Sequence, residues 1–269
     1  MKTMFITADP DIAAYVENCG VDVIFVDMEV RGKRERQGHL DTHIASHTLE
    51  DVRLLSRTLT RAELMVRVNP LWDGSKEEID GVVEAGARRI MLPMFRTASE
   101  ILRFVSIVDC RVPVTLLVET AAALARLPSY LPLLQQSDEI HFGLNDLSID
   151  MGLTFLFEVL AGRLLDGPAA LCREAGISFG IGGVGRIGRG AVPAEWVLSE
   201  HVRLGSSAVI LSRAFRDGAS SVEELGNADF PIELSKLHHA LAELRRLPSD
   251  ALIANHGRLV RRVAEYIGN

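Results

Sequence analysis

The chain is poor in cysteine. Its three, Cys19, Cys110 and Cys172, are widely spaced, odd in number and never in C-x-x-C geometry, so they read as buried thiols of a cytoplasmic protein rather than as a disulfide framework. No stretch approaches the roughly 18 uninterrupted apolar residues of a membrane span. The opening Met1-Lys2-Thr3-Met4-Phe5-Ile6-Thr7 lacks the apolar core and cleavage site of a secretory leader. Basic excess is missing as well. With 29 Lys and Arg against 36 Asp and Glu, the net charge of −7 has the wrong sign for general nucleic-acid binding, which depends on neutralising phosphates. There is no G-x-S-x-G elbow and no Cys, His and Asp arrangement that marks a nucleophile. Nor does a Pro-, Gly- or Ser-rich linker divide the 269 residues.

What is present is an ordinary globular composition, 48% hydrophobic and 24% charged, with strand and helix patterns in alternation. Short apolar runs at 4–8, 21–26, 63–68, 89–93, 112–118, 139–142, 177–181 and 208–211 read as strands buried on both faces. Helical patterns lie between them. Thr48-Leu49-Glu50-Asp51, Ser75-Lys76-Glu77-Glu78 and Thr97-Ala98-Ser99-Glu100 have the form of helix-start caps. Eight strands alternating with helices predict an α/β fold, a single (β/α)8 TIM barrel over residues 1–225. Residues 226–269 form a helical extension split at Leu247-Pro248. Its apolar stripes, among them Leu234, Leu237, Leu241, Leu252, Leu259 and Val263, predict packing on a neighbouring subunit, because eight helices already cover a barrel.

The run 115–118 ends at Glu119, and the run 139–142 is followed by Gly143-Leu144-Asn145-Asp146. A helical pattern over 121–134 joins them, so this β-α-β unit delivers two carboxylates to the C-terminal rim, where barrels bind ligands. Two hard oxygen donors suit Mg²⁺, which keeps several waters and substrate oxygens. Either acid alone reads equally well as the N-cap of the next helix; the pair favours the metal. Arg67 stands at the end of the third strand before Asn69-Pro70, placed to hold a carboxylate in its fork. Between Val30 and His47 no apolar period exists, while Arg31, Lys33, Arg34, Arg36, His39, His43 and His47 crowd together. Such a loop either closes over an anionic substrate or is simply solvated. Gly180-Ile181-Gly182-Gly183-Val184-Gly185 matches a dinucleotide fingerprint, yet it follows the seventh strand of a barrel. That position suits an anion loop flanked by Arg186, Arg189, Ser212 and Arg213, or a tight glycine turn beside solvated arginines. His141 reads as a core histidine.

Together these residues resemble the HpcH/HpaI aldolase and citrate lyase family of pyruvate/phosphoenolpyruvate-type barrels. The resemblance is carried by Glu119-Thr120, by Gly143-Leu144-Asn145-Asp146-Leu147-Ser148 with Met151-Gly152, by Val66-Arg67-Val68, by Gly86-Ala87 with Met91-Leu92-Pro93-Met94, and by Asp27-Met28-Glu29. It implies a divalent metal, Mg²⁺ with Mn²⁺ or Co²⁺ as alternatives, held by Glu119 and Asp146. It also implies that Arg67 binds a 2-oxo acid, with Gly143, Asn145 and Pro93 lining the substrate, and that Glu29 lies near the metal-bound waters. The implied activity is an aldolase, a carbon–carbon lyase working on a 2-oxo acid and an aldehyde, in a homo-oligomer, a trimer or hexamer. The aldolase branch has a histidine where this chain has Val30 and a glutamine where it has Leu117. The proton-transfer group is therefore read as a metal-bound water or one of His39, His43 and His47. A CoA-thioester lyase with Lys33, Arg34 and Arg36 along a nucleotide groove, and a catalytically silent oxo-acid-binding barrel, are the alternatives.

Overall fold

The computed structural model describes residues 1–32 and 47–268. Eight parallel strands close into a barrel in sequence order: β1 (Lys2–Ile6), β2 (Val23–Asp27), β3 (Glu63–Arg67), β4 (Arg89–Leu92), β5 (Val114–Val118), β6 (Glu139–Phe142), β7 (Ser178–Val184) and β8 (Ala208–Leu211). Around them lie α1 (Pro10–Asn18), α2 (Leu49–Thr58), α3 (Ser75–Glu84), α4 (Ala98–Val108), α5 (Ala121–Ala125), α6 (Leu127–Tyr130), α7 (Leu144–Asp150), α8 (Glu158–Ala161), α9 (Asp166–Glu174) and α10 (Ala194–Leu204). The chain ends in α11 (Arg213–Arg216), α12 (Val222–Asn227), α13 (Phe230–Leu244) and α14 (Ser249–Ile267). The predicted TIM barrel with extra C-terminal helices is the fold observed. None of the described helices is long and apolar enough to cross a membrane, and all three cysteines are free, although only Cys172 is buried as expected; Cys19 is half-buried and Cys110 exposed.

Alternation along each strand sorts two cores. Ile24, Leu64, Ile90, Leu116, Ile140 and Phe179 face the helices, while Met4, Val23, Phe25, Met65, Met91, Leu117 and Ala208 fill the barrel. Below this inner layer, Lys2 and Arg89 meet Glu139 and Glu63, with Arg89 Nε 3.0 Å from Glu63 Oε1. These pairs close the floor with matched charge, and the open end is the C-terminal rim.

Several local expectations change. Thr48 and Thr97 make full capping boxes, but α3 is preceded by Gly74. Ser75 is its first residue, and its hydroxyl accepts from the Trp72 N–H instead of capping. The helical stretch predicted over 121–134 is broken into α5, α6 and a 3₁₀ turn, Leu131–Leu133. Pro128 and Pro132 each lack the amide a continuous helix needs. β7 runs on to Val184, so Gly180, Gly182 and Gly183 belong to the strand and not to a following loop. A Cβ on Gly180 would lie 2.4 Å from His141 Nδ1, and one on Gly182 would lie 2.8 Å from Leu144 Cδ1. These glycines clear space for neighbours. The stripes of α13 and α14 are covered by the chain's own barrel: both helices pack on α10, and Leu234, Leu237, Leu241, Leu252, Leu259 and Val263 are buried there. A barrel helix thus supplies the surface that the sequence reading sought on another subunit. Ile232, Ile253, Val260 and Tyr266 stay exposed.

Candidate active site

β5 and β6 pair in register, Leu117 with His141 and Val118 with Phe142, so the residues just beyond them share the rim. Neither rim carboxylate is a helix cap. Thr120 caps α5 by accepting from the Ala123 N–H, and Gly143 occupies the cap position of α7 with Asp146 in its first turn. The N-cap alternative left open by the sequence is thereby removed. Glu119 is 3% exposed, and its Oε1 accepts from the Met94 N–H at 3.1 Å. Met94 takes the left-handed backbone, φ 56°, a strained conformation for a side-chain-bearing residue, and Pro93 before it is buried at the end of β4. This packing crowds any side chain at Gly143: a Cβ there would lie 3.0 Å from Glu119 Cβ and 3.1 Å from its Oε2. Asn145 is exposed at the start of α7.

Arg67 ends β3 directly opposite Asp27 at the end of β2. Its Nε and Nη2 donate to the two Asp27 oxygens at 2.9 and 2.7 Å, a bidentate fork. Its Nε also lies 3.5 Å from Glu29 Oε2, and its guanidinium sits 5.4 Å from the Phe25 ring. Among the described residues Nη1 has no hydrogen-bond partner. Burial alone would lower the Arg67 pKa, but the Asp27, Glu29 and Glu119 charges hold it above its ordinary value. Burial pushes the Glu119 carboxyl up to about 8; Arg67 opposes this, while the Asp146 and Glu29 charges add to it. Asp27, Glu29 and Glu119 thus act together on Arg67, and Asp146 acts on Glu119.

Such a site fits a small divalent cation. The donors are carboxylate oxygens, and burial and like charge push the Glu119 carboxyl above its ordinary range. A cation would favour the ionised form against both. Among the described residues no group of three or more His, Cys, Asp or Glu side chains is placed to hold a metal. A pair is what Mg²⁺ ordinarily takes.

Glu29 is 2% exposed and folds in beside Arg67, whereas Val30 is 49% exposed. His47 arrives at the same rim from the far side of the loop, and its Nδ1 accepts from the Asp27 N–H at 2.9 Å. His39, His43, Lys33, Arg34 and Arg36 lie outside the described residues. Sequence reasoning missed two parts: Asp27 as the holder of Arg67, and the Met94 N–H as a partner of Glu119. The register of β2 with β3 could have suggested the first; no sequence signal announces the second.

A family model described as HpcH/HpaI aldolase/citrate lyase matches residues 3–158, more than half the chain. The chain belongs to the HpcH/HpaI aldolase/citrate lyase family. Members are generally divalent-metal-dependent, and membership makes this protein a lyase of that broad type. Solved structures agree on the fold. The crystal structure of an HpcH/HpaI aldolase from Desulfitobacterium hafniense DCB-2 is 14% identical, with a TM-score of 0.59 over 92% of this chain and 93% of that one. An HpcH/HpaI aldolase/citrate lyase family protein from Burkholderia cenocepacia J2315 is 17% identical, with a TM-score of 0.62 over 91% and 94%. The citrate synthase SbnG is 14% identical, with a TM-score of 0.58 over 88% and 94%. A search of curated proteins finds no match.

Proposed function

We propose that this protein is a metal-dependent aldolase that makes or breaks a carbon–carbon bond next to a 2-oxo acid. What supports the reading is that the Asp146 charge acts on buried Glu119, beside an arginine fixed by a bidentate carboxylate. When bound by Glu119 and Asp146, a divalent cation supplies an electrophile for the carboxylate and keto oxygens of a pyruvate unit. Arg67 directs Nη1 and a fixed positive charge to the keto oxygen, where negative charge develops on cleavage. Asp27 prevents the fork from swinging, and burial at the rim strengthens the charge. Gly143, Asn145 and Pro93 line the oxo acid, and Glu29 holds the acidic side of the site against Arg67.

Proton transfer falls to His47, with His39 as the further loop histidine. Because the His47 Nδ1 accepts from a backbone amide, the proton of its neutral ring resides on Nε2. That ring is therefore a hydrogen-bond donor toward the acceptor's oxygen, and it passes a proton only from its imidazolium form. The expected substrates are a 2-oxo acid and an aldehyde.

The test measures pyruvate release from a panel of 4-hydroxy-2-oxo acids and acetyl-CoA release from a panel of β-hydroxyacyl-CoA esters, with and without EDTA. EDTA-sensitive release from the oxo acids supports the reading. Release from the CoA esters alone would make the protein a thioester lyase, and no release from either would leave a silent binding barrel.

A further inference from the structure

The loops after β7 and β8 lie side by side. Val184 pairs with Leu211, the Ser212 N–H donates to the Val184 carbonyl at 3.0 Å, and a Cβ on Gly185 would touch Ala214 Cβ at 3.8 Å. Into this contact the chain brings Arg186 and Arg189 from one loop and Arg213 and Arg216 from the other. Among the described residues, Asp217 is the one carboxylate within ion-pair distance of any of the four, 3.4 Å from Arg186 Nη1 and 3.2 Å from Arg189 Nη1. Positive charge is therefore left over.

The buried donors are left over as well. Arg186 is 4% exposed; its Nε donates to the Phe215 carbonyl at 2.7 Å, yet its Nη2 is buried without a partner. Arg216 is half-buried, and its Nε is likewise buried and unpartnered. Burial and the nearby Arg213 charge pull the Arg216 pKa below its usual value. Unpaired guanidinium donors held in a partly dry place are costly unless something accepts from them. Two arginines share one exposed carboxylate, two more follow β8 beside them, and the surplus selects an anion.

We propose that the β7–β8 loops bind the anionic end, carboxylate or phosphate, of the electrophilic co-substrate, with Arg216 and Arg186 as the principal donors and Arg213 at the mouth. The identity of the ligand rests on the lyase reading above; the site itself does not. Position supports the assignment. The arginines follow β7 and β8, and Asp146 follows β6, so the two sites are separated by about two strand spacings, roughly 10 Å along the rim. An acceptor of a few carbons with an aldehyde at one end and an anion at the other spans that distance.

The test begins with inorganic phosphate titrated into the full-length protein in EDTA and followed by calorimetry, so that the metal site takes no part. Wild type should bind phosphate. Arg216→Gln should bind it about tenfold more weakly or worse, the loss expected for a charged hydrogen bond, and the exposed Arg213→Gln, which cannot unfold the core, should weaken it measurably. Turnover is then compared for a neutral, an ω-carboxy and an ω-phospho aldehyde of equal length. In Arg216→Gln the preference for the anionic aldehyde over the neutral one should fall about tenfold, and whichever anion loses more identifies the group. Absence of phosphate binding in wild type, or equal binding in both variants, overturns the site. If phosphate binding behaves as expected while no aldehyde turns over, the anion site stands and the lyase reading falls.

Discussion

Gly143→Ala probes the site without touching a charged group. The backbone at Gly143, φ −85° and ψ 95°, is open to alanine, so the only cost is contact. The new methyl would lie 3.0 Å from Glu119 Cβ, 3.1 Å from its Oε2 and 3.2 Å from Leu117 Cδ1. Each approach is several tenths of an ångström too close. Overpacking of this kind costs about 1–3 kcal/mol, or a melting temperature lower by roughly 3–10 °C for a chain of this size. Glu119 Oε1 is tied to the Met94 N–H, so relief comes by shifting the carboxylate out of its present position. Metal affinity and turnover should then fall about 10- to 100-fold, as when a ligand's support is lost. Gly152→Ala is the matched control: φ is +70° with nothing within 4 Å, so it costs about 1–2 kcal/mol of backbone strain and crowds no carboxylate. Melting curves and Mg²⁺-dependent turnover are measured on both. Equal loss of turnover in the two variants, or wild-type turnover in Gly143→Ala, would refute the argument.

Arg67→Lys keeps the charge but loses the fork on Asp27, and about 1.5–3 kcal/mol of transition-state stabilisation should go with it; unchanged kcat/KM for the oxo acid removes Arg67 from the site. His141 and His201 are buried, with pKa values pulled down by burial to about 4 and about 3. Both are neutral in the folded and unfolded states above pH 6.5. Below it the unfolded chain takes up protons that the fold refuses, so stability falls as pH drops from 6.5 toward 4, by about 3–5 kcal/mol for each histidine at the limit. Urea midpoints across that range in wild type and His201→Gln check this, and a wild-type midpoint that does not fall refutes it. The exposed Ile253, Val260 and Tyr266 of α14 are predicted to mediate a trimer or hexamer. Light scattering should show that mass and a drop in Ile253→Glu, whereas a wild-type monomer ends the prediction.

The barrel was legible because its signals are local. Eight apolar runs and the Thr48 and Thr97 caps each depend on residues a few positions apart, and both rim carboxylates follow from strand ends. What escaped is settled across the fold. The glycines of β7 look like a loop in one dimension, and only the His141 and Leu144 side chains from neighbouring elements explain them. The stripes of α13 and α14 show that something must cover them, but that the cover is the chain's own α10 is a tertiary fact. Asp27 reads as one more acid after a strand until the β2–β3 register sets it opposite Arg67.

The central claim is that Glu119 and Asp146 together hold one divalent cation at the rim. Mn²⁺ titrated into the metal-stripped protein and followed by electron paramagnetic resonance tests it most directly, with no substrate present. Wild type should bind one Mn²⁺ per chain, and Asp146→Asn, with its melting curve unchanged, should lose at least about 100-fold in affinity. Equal Mn²⁺ binding by wild type and Asp146→Asn would contradict the account.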